Sequence, residues 1–160
     1  MKPPSEKPSA QRSATMRAVK SRDTGPELAV RRLLTKMATG YRLCRADLPG
    51  KPDIAYGGRR LAIFVHGCFW HGHDCIRGAR VPKTNRPYWQ AKIARNRARD
   101  LAVAEALAAL GWRTLTIHEC ELKDIDALRG RLGAALALPL GACALPIRAA
   151  VEPIAPSADR

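Results

Sequence analysis

One stretch of ten residues constrains this chain more than any other: His66-Gly-Cys-Phe-Trp-His71-Gly-His73-Asp-Cys75. It holds three of the four histidines and two of the five cysteines. Cys68, His73 and Cys75 are thiol and imidazole ligands at a spacing that suits zinc. A structural zinc takes four ligands, and Cys120, beyond a later β-type run, could return to close the tetrahedron. The spacing is not that of a common zinc finger. The same residues would also suit a set of buried or reactive thiols without metal. The block directly follows Leu61-Ala-Ile-Phe-Val65, an apolar run suited to a buried central strand. The ligand loop therefore leaves the sheet from its middle.

Around that loop the punctuation is clear. Thr24 and Glu27 stand three apart as in a capping box, with Pro26 in the first turn, and Leu28, Leu33, Leu34 and Met37 give a helix its apolar side up to Gly40. Short β-type runs follow at Tyr41 to Arg45 and Lys51 to Tyr56, with Gly57-Gly58 as a two-residue hairpin signal before the central strand. A long helix starts near Thr84 or Asn85 and runs to Leu110, stopped by Gly111. Trp112 to Ile117 is a further strand, and Asp124 to Leu138 a last helix. Helix, strands, helix, strand, helix is an α/β domain with a small mixed β-sheet flanked by helices. Residues 1–15 read as a flexible basic arm, 16–138 as a single domain, and 139–160 as a loosely ordered Pro/Ala tail.

Charge narrows the partner. The chain has 28 Lys+Arg against 14 Asp+Glu, a formal net charge of +14. Lys2, Lys7 and Arg12 against Glu6 leave the first 15 residues at +2, and residues 135–160 are balanced, so the body carries +12. A compact body that basic needs a polyanion, and nucleic acid is the commonest one. The bland alternative is a basic surface tuned for solubility. No apolar run reaches the roughly 18 residues of a membrane span, and no signal peptide opens the chain. The expectation is a cytoplasmic, nucleoid-associated protein. An odd number of cysteines there argues against a disulfide scaffold.

Three further features carry chemistry. In Leu48-Pro-Gly-Lys-Pro-Asp53-Ile54 a carboxylate follows Pro as a β-run begins, where nucleases place a hard oxygen ligand for Mg²⁺ beside a phosphate. Alone it would read as a turn Asp. His66 and His71, reached by the next strand, suit general base and acid near such a metal. Lys92, Asn96 and Asp100 share one face of the long helix with Trp89 nearby. Lys and Asn suit phosphate and base contacts, and Asp100 suits orienting a histidine. An ordinary solvated helix face has the same pattern. Phe69-Trp70 could insert between base pairs or pack over the zinc.

Taken together, the chain resembles the very short patch repair endonucleases. The matching residues are Met16-Arg17-Ala18, Arg22-Asp23-Thr24 with Glu27, Leu48 to Asp53, Phe64 to Cys75, Lys92-Ile93 with Asn96 and Asp100, Gly111-Trp112-Arg113, and Glu119-Cys120. They span Met16 to Leu122 and leave both tails unexplained. The resemblance implies a restriction-endonuclease-like core with a structural zinc site. It implies an enzyme that nicks double-stranded DNA 5′ of the thymine of a T·G mismatch left by deaminated 5-methylcytosine.

Carried over by position, the resemblance makes Asp53 the Mg²⁺ ligand, with the backbone carbonyl of Val65. His71 becomes the general base, with Glu27, His66 and Asp100 supporting the metal waters and the histidines. Cys68, His73, Cys75 and Cys120 would hold Zn²⁺. Phe69 and Trp70, with Met16, would form an intercalating wedge, and Lys92 and Asn96 would lie near the mismatched pair. The expected partners are T·G-mismatched duplex DNA and mismatch-repair proteins, and the expected state is a monomer. Four departures stand out. Phe64-Val65-His66 replaces the acid and Lys of the general restriction pattern. Val65 stands where relatives can carry Thr, Gly72 and Asp74 interrupt a His run, and His118 stands where an aromatic can be found. Cys44, Cys143 and His118 have no assigned role. The alternatives are a restriction-type endonuclease of the same fold and a non-catalytic zinc module that binds DNA. The latter has no reason to combine Asp53, His71 and Glu27.

Overall fold

The computed structural model describes residues 22–137. The expected arm, the tail, Met16 and Cys143 lie outside those residues.

Helix α1, Gly25–Met37, begins as its cap residues dictate. The Glu27 N–H donates to Thr24 Oγ1 at 3.4 Å, and the Thr24 hydroxyl donates to Glu27 Oε1 at 2.9 Å. The return bond of the capping box goes to the preceding amide, Asp23 N–H to Glu27 Oε2, at 2.9 Å. The buried stripe runs through Glu27, Val30 and Leu34. Leu28, expected on the apolar side, turns outward at 38% exposed and Val30 takes its place.

The sheet has the order β1 (Arg42–Leu43), β2 (Ile54–Tyr56), β3 (Leu61–His66), β4 (Arg113–His118). The first two strands are shorter than their β-type runs. Cys44 at φ 47° and Lys51 at φ 50° take left-handed backbone that no strand can continue through. The expected two-residue hairpin is instead a four-residue connection. Tyr56 pairs with Leu61, Gly57–Arg59 form a 3-10 turn, and Arg60 rather than a glycine takes the left-handed position at φ 46°. β1, β2 and β3 are antiparallel, while β3 and β4 are parallel and joined by the crossover helix α2, Arg86–Ala109. Two bonds, Gly111 N–H to Ala108 O and Trp112 N–H to Leu107 O, both 2.9 Å, close that helix with Gly111 at φ 75°. Helix α3, Ile125–Ala137, follows.

Period-two alternation sorts the strands into two cores. Ile54, Tyr56, Leu61, Ile63, Leu115 and Ile117 pack with Val30 and Leu34 of α1 and Leu128, Leu132 and Leu136 of α3. Ala55, Ala62 and Phe64 face the other way, onto Leu107 of α2 and Leu48. β3 is covered on both faces, which is why it reads as a continuous apolar run. Its last residue, His66, pairs with His118. The parallel strands therefore end level, and the ligand loop leaves from that edge. No helix among the described residues is long and apolar enough to cross a membrane.

Candidate active site and metal group

His66, at the end of β3, shares strand parity with Phe64 and Ala62 and so belongs to the α2 side. His71 folds back from the loop and stacks on it, ring centres 3.6 Å apart and 10° from parallel. Asp100 of α2 receives the pair: its Oδ2 lies 2.5 Å from His71 Nδ1 and 3.9 Å from His66 Nδ1. An ionised carboxylate only accepts, so Nδ1 of His71 carries the proton of that bond, and in the neutral ring Nε2 is the acceptor. Burial pushes the His66 imidazole down to about 3, with His71 adding to the effect. Burial also works against ionised Asp100, but the His71 bond and the neighbouring His66 outweigh it and hold the carboxyl below the ordinary range. One turn earlier, Asn96 Nδ2 donates to the Trp70 carbonyl at 2.7 Å. The spacing by four thus puts Lys92, Asn96 and Asp100 on the loop, not on a solvated face.

Asp53 lines the same cavity. Its Oδ2 accepts from the Val65 N–H at 2.8 Å. Burial raises its carboxyl, against that amide bond, and the nearby Glu27 adds to the rise. Asp53, Val65, His66, His71, Asp100 and Glu27 line one cavity of about 570 Å³. The five residues expected to be catalytic are therefore brought together. Glu27 is more engaged than sequence suggested, since Asp23 N–H, Thr24 and Arg31 all bond its carboxylate. A half-buried carboxylate at the wall of an open cavity is a hard oxygen donor that suits Mg²⁺.

Cys68, His73, Cys75 and Cys120 form a second cluster, with one ligand atom from each lying within 4.8 Å of all the others. Cys120 Sγ is 3.5 Å from His73 Nδ1, and the Cys120 N–H donates to Cys68 Sγ at 3.3 Å. His73 Nε2 lies 3.4 Å from Asp74, the carboxylate partner common for a metal-bound imidazole. The thiols are pushed apart. The His73 bond brings Cys75 down to about 6, while burial raises Cys68 and lifts Cys120 to about 12. Crowded thiols cannot all ionise unaided, and a divalent cation is what would let them. The donor set fits a four-coordinate metal. Gly78 seals the loop, since a Cβ there would lie 2.0 Å from the His73 carbonyl oxygen. Only glycine permits that backbone approach.

Phe69 and Trp70 meet the long helix. Their rings meet each other at 5.1 Å and Trp89 of α2 at 5.5 and 6.1 Å. The Lys92 ammonium sits 5.0 Å from the Trp70 ring centre and 5.7 Å from that of Trp89. Trp89 is a member that sequence reasoning noted only as a neighbour, although positions 89, 92, 96 and 100 follow one helical stripe. His118, left without a role by the sequence, stacks on His73 at 4.0 Å.

Residues 7–77 match the family model of the DNA mismatch endonuclease Vsr. The chain is 53% identical over 117 residues to the type II nicking enzyme V.XorIIP of Xanthomonas oryzae pv. oryzae, covering 73% of this chain and 85% of the relative. It is 43% identical to the DNA mismatch endonuclease Vsr of Escherichia coli strain K12, over 74% of this chain and 76% of that protein. It is 37% identical to the type II nicking enzyme V.NmeAIP of Neisseria meningitidis serogroup A, over 77% and 87%.

Proposed function

Since the chain belongs to the DNA mismatch endonuclease Vsr family, and is thereby a DNA endonuclease and not a mere binding module, we propose that it nicks one strand of duplex DNA 5′ of the thymine of a T·G mismatch. The mismatch is the one left when 5-methylcytosine deaminates, and the core is restriction-endonuclease-like. The observation that carries the reading is the shared cavity, lined by the Asp53 carboxylate together with the His71–Asp100 pair.

In this mechanism the scissile phosphate enters that cavity. Asp53 and the Val65 carbonyl would hold Mg²⁺, which would supply positive charge for the phosphate oxygens. His71 takes a proton from the attacking water at Nε2, and Asp100 stabilises the resulting imidazolium through Nδ1. The water oxygen bonds to phosphorus as the bond to the leaving oxygen breaks. His66, kept neutral by burial, backs the His71 ring without adding charge. Glu27 lines the cavity with Asp53 and would support the metal site there. Cys68, His73, Cys75 and Cys120 would hold a structural Zn²⁺.

The test is nicking of matched duplexes that differ only in T·G, C·G or T·A at one 5-methylcytosine context. Equal nicking of all three would remove the mismatch reading, and no nicking of any with metals loaded would remove the endonuclease reading.

Recognition has two expected signatures. Phe69, Trp70 and Trp89 can enter the stack at a wobble pair, which stacks less well than a Watson–Crick pair, while Lys92 and Asn96 stand beside them. Unstacking costs a few kcal/mol per step, and one base–aromatic stack is worth about 1–3 kcal/mol. Phe69→Ala/Trp70→Ala should lower the T·G over T·A nicking ratio about tenfold or more while metal content holds. Fluorescence of 2-aminopurine beside the mismatch should lose its rise on binding; an unchanged ratio and unchanged fluorescence would exclude the wedge.

The second signature is ionic. With +12 on the body, duplex affinity should fall steeply with salt, each neutralised phosphate adding about 0.9 to the slope of log K against log salt. A flat salt dependence would place the DNA interface elsewhere.

A further inference from the structure

The two parallel strands end in matching sequence: His66-Gly-Cys68 closes β3 and His118-Glu-Cys120 closes β4. The register pairs His66 with His118. Two cysteines therefore enter the Cys/His cluster from adjacent strand ends, each two residues beyond a paired histidine.

The histidine rings continue the pairing. His118 stacks on His73 at 4.0 Å and 25°. Its edge meets His66 at 6.0 Å and 77°. His66 stacks on His71, which Asp100 holds. All four histidines of the chain thus form one unbroken row of rings from the metal group to the Asp100 carboxylate. His118 is also fixed from behind. Its backbone N–H donates to Glu121 Oε1 at 2.8 Å. Arg131 ties that carboxylate to the Thr116 carbonyl of β4.

We propose that His118 is a positioning residue, a flat spacer clamped between the metal-holding His73 and His66, which sets the His66–His71 stack and so aims the proton-accepting nitrogen of His71. The proposal rests on the reading of His71 as general base. His118 in this role touches neither phosphate nor water. The role uses the ring, which Nδ1, 3.6 Å from Glu121 Oε1, helps to hold in place: a gap at 118 lets the His66 ring tilt toward the cluster, and His71 follows it out of line. A planar apolar ring of similar size fills the gap as well.

The experiment compares His118→Ala, His118→Phe and His71→Ala, each with metal content and Tm measured first. His118→Ala should retain its structural metal and its affinity for T·G duplex, and lose about 10–100-fold in single-turnover nicking, the usual scale for a residue that orients a reacting group from behind. His118→Phe should recover most of that loss. In DNA-free, metal-loaded protein, the His71 Nδ1 proton shared with Asp100 should give a downfield NMR signal that broadens in His118→Ala and returns in His118→Phe. Normal nicking by His118→Ala overturns the proposal, and so does a His118→Phe protein as slow as His118→Ala with its metal in place. If His118→Ala sheds its metal, the His118→Phe rate and the downfield signal decide by the same rule. His71→Ala separates the two readings. If it nicks normally, the general-base reading itself falls. If it is dead while His118→Ala is normal, only the positioning role falls.

Discussion

Asp53→Asn protein should keep its fold and its grip on T·G duplex while losing nicking by about 10²–10³-fold or more, the scale on which one preorganised charge-stabilising group counts. Asp53 is the single side-chain carboxylate assigned to the Mg²⁺, so there is little redundancy. The amide retains the shape and can still accept from the Val65 N–H that Oδ2 now takes at 2.8 Å. Fold and DNA contacts have no reason to fail with it. Stability should move the other way. Burial raises the Asp53 carboxyl, so the folded chain holds this proton more tightly than the unfolded chain does. The stability tied to that proton is present below the unfolded pKa and is lost as pH rises through the folded one. The amide never ionises. In Mg²⁺-free buffer without chelator, Asp53→Asn should therefore melt above the parent at pH 8, with the gap closing as pH falls through the raised carboxyl range. Nicking assays, mismatch binding and melting at several pH values check all three parts. Activity within a few-fold of the parent would take Asp53 out of the metal site.

The contrast between what activity needs and what the fold prefers also explains what was legible in the sequence. β3 could be read because both its faces are covered, and the long helix because Pro87 and Gly111 punctuate it. The cap at Thr24 could be read because its chemistry is local. The edge strands could not be bounded. Cys44, Lys51 and Arg60 adopt left-handed backbone without being glycines, and composition does not reveal where a non-glycine is driven there. Leu28 shows the same limit, since apolar character does not fix which stripe of α1 is turned inward.

In the site, residues that lie close in sequence were easy to group and their partners across the fold were not. The His66–Cys75 block announces itself, yet which histidine faces which cluster depends on Asp100, 29 residues from His71, and on Cys120, 52 residues from Cys68. Residue chemistry offered Cys120 and Asp100 as candidates, the resemblance tied each to its site, and the fold brings the same residues together. Trp89 and His118 were left out because each acts through ring contacts that spacing alone does not encode: Trp89 against a loop, His118 against an imidazole 45 residues away. The parallel register of β3 and β4 sets His118 beside His66, where the loop returns His73 onto it, and a strand pairing is a long-range fact.

Removing one ligand of the Cys/His cluster should have the largest effect on the fold itself. Between the end of β3 and the start of α2, only Cys68 and Gly78 are buried, so the loop has almost no apolar core and depends on its tie to Cys120 at the end of β4. Structural zinc contributes about 10–16 kcal/mol of apparent binding free energy in small domains, whereas a whole domain is stable by only about 5–15 kcal/mol. Even roughly 3 kcal/mol of that contribution would lower Tm by about 10 °C or more in a domain of this size. Cys75→Ser should therefore lose its metal and melt at least that much lower, with the two losses appearing together. Nicking should go with them, because His71 sits in the same loop and its stack on His66 depends on the loop being moored. The loss differs in kind from that of Asp53→Asn, which costs nicking without lowering the melting temperature. Elemental analysis of the purified protein and calorimetry provide the check. A Cys75→Ser protein that still carries one equivalent of zinc and melts with the parent would show that Cys75 is not a ligand and that the loop is held by something else.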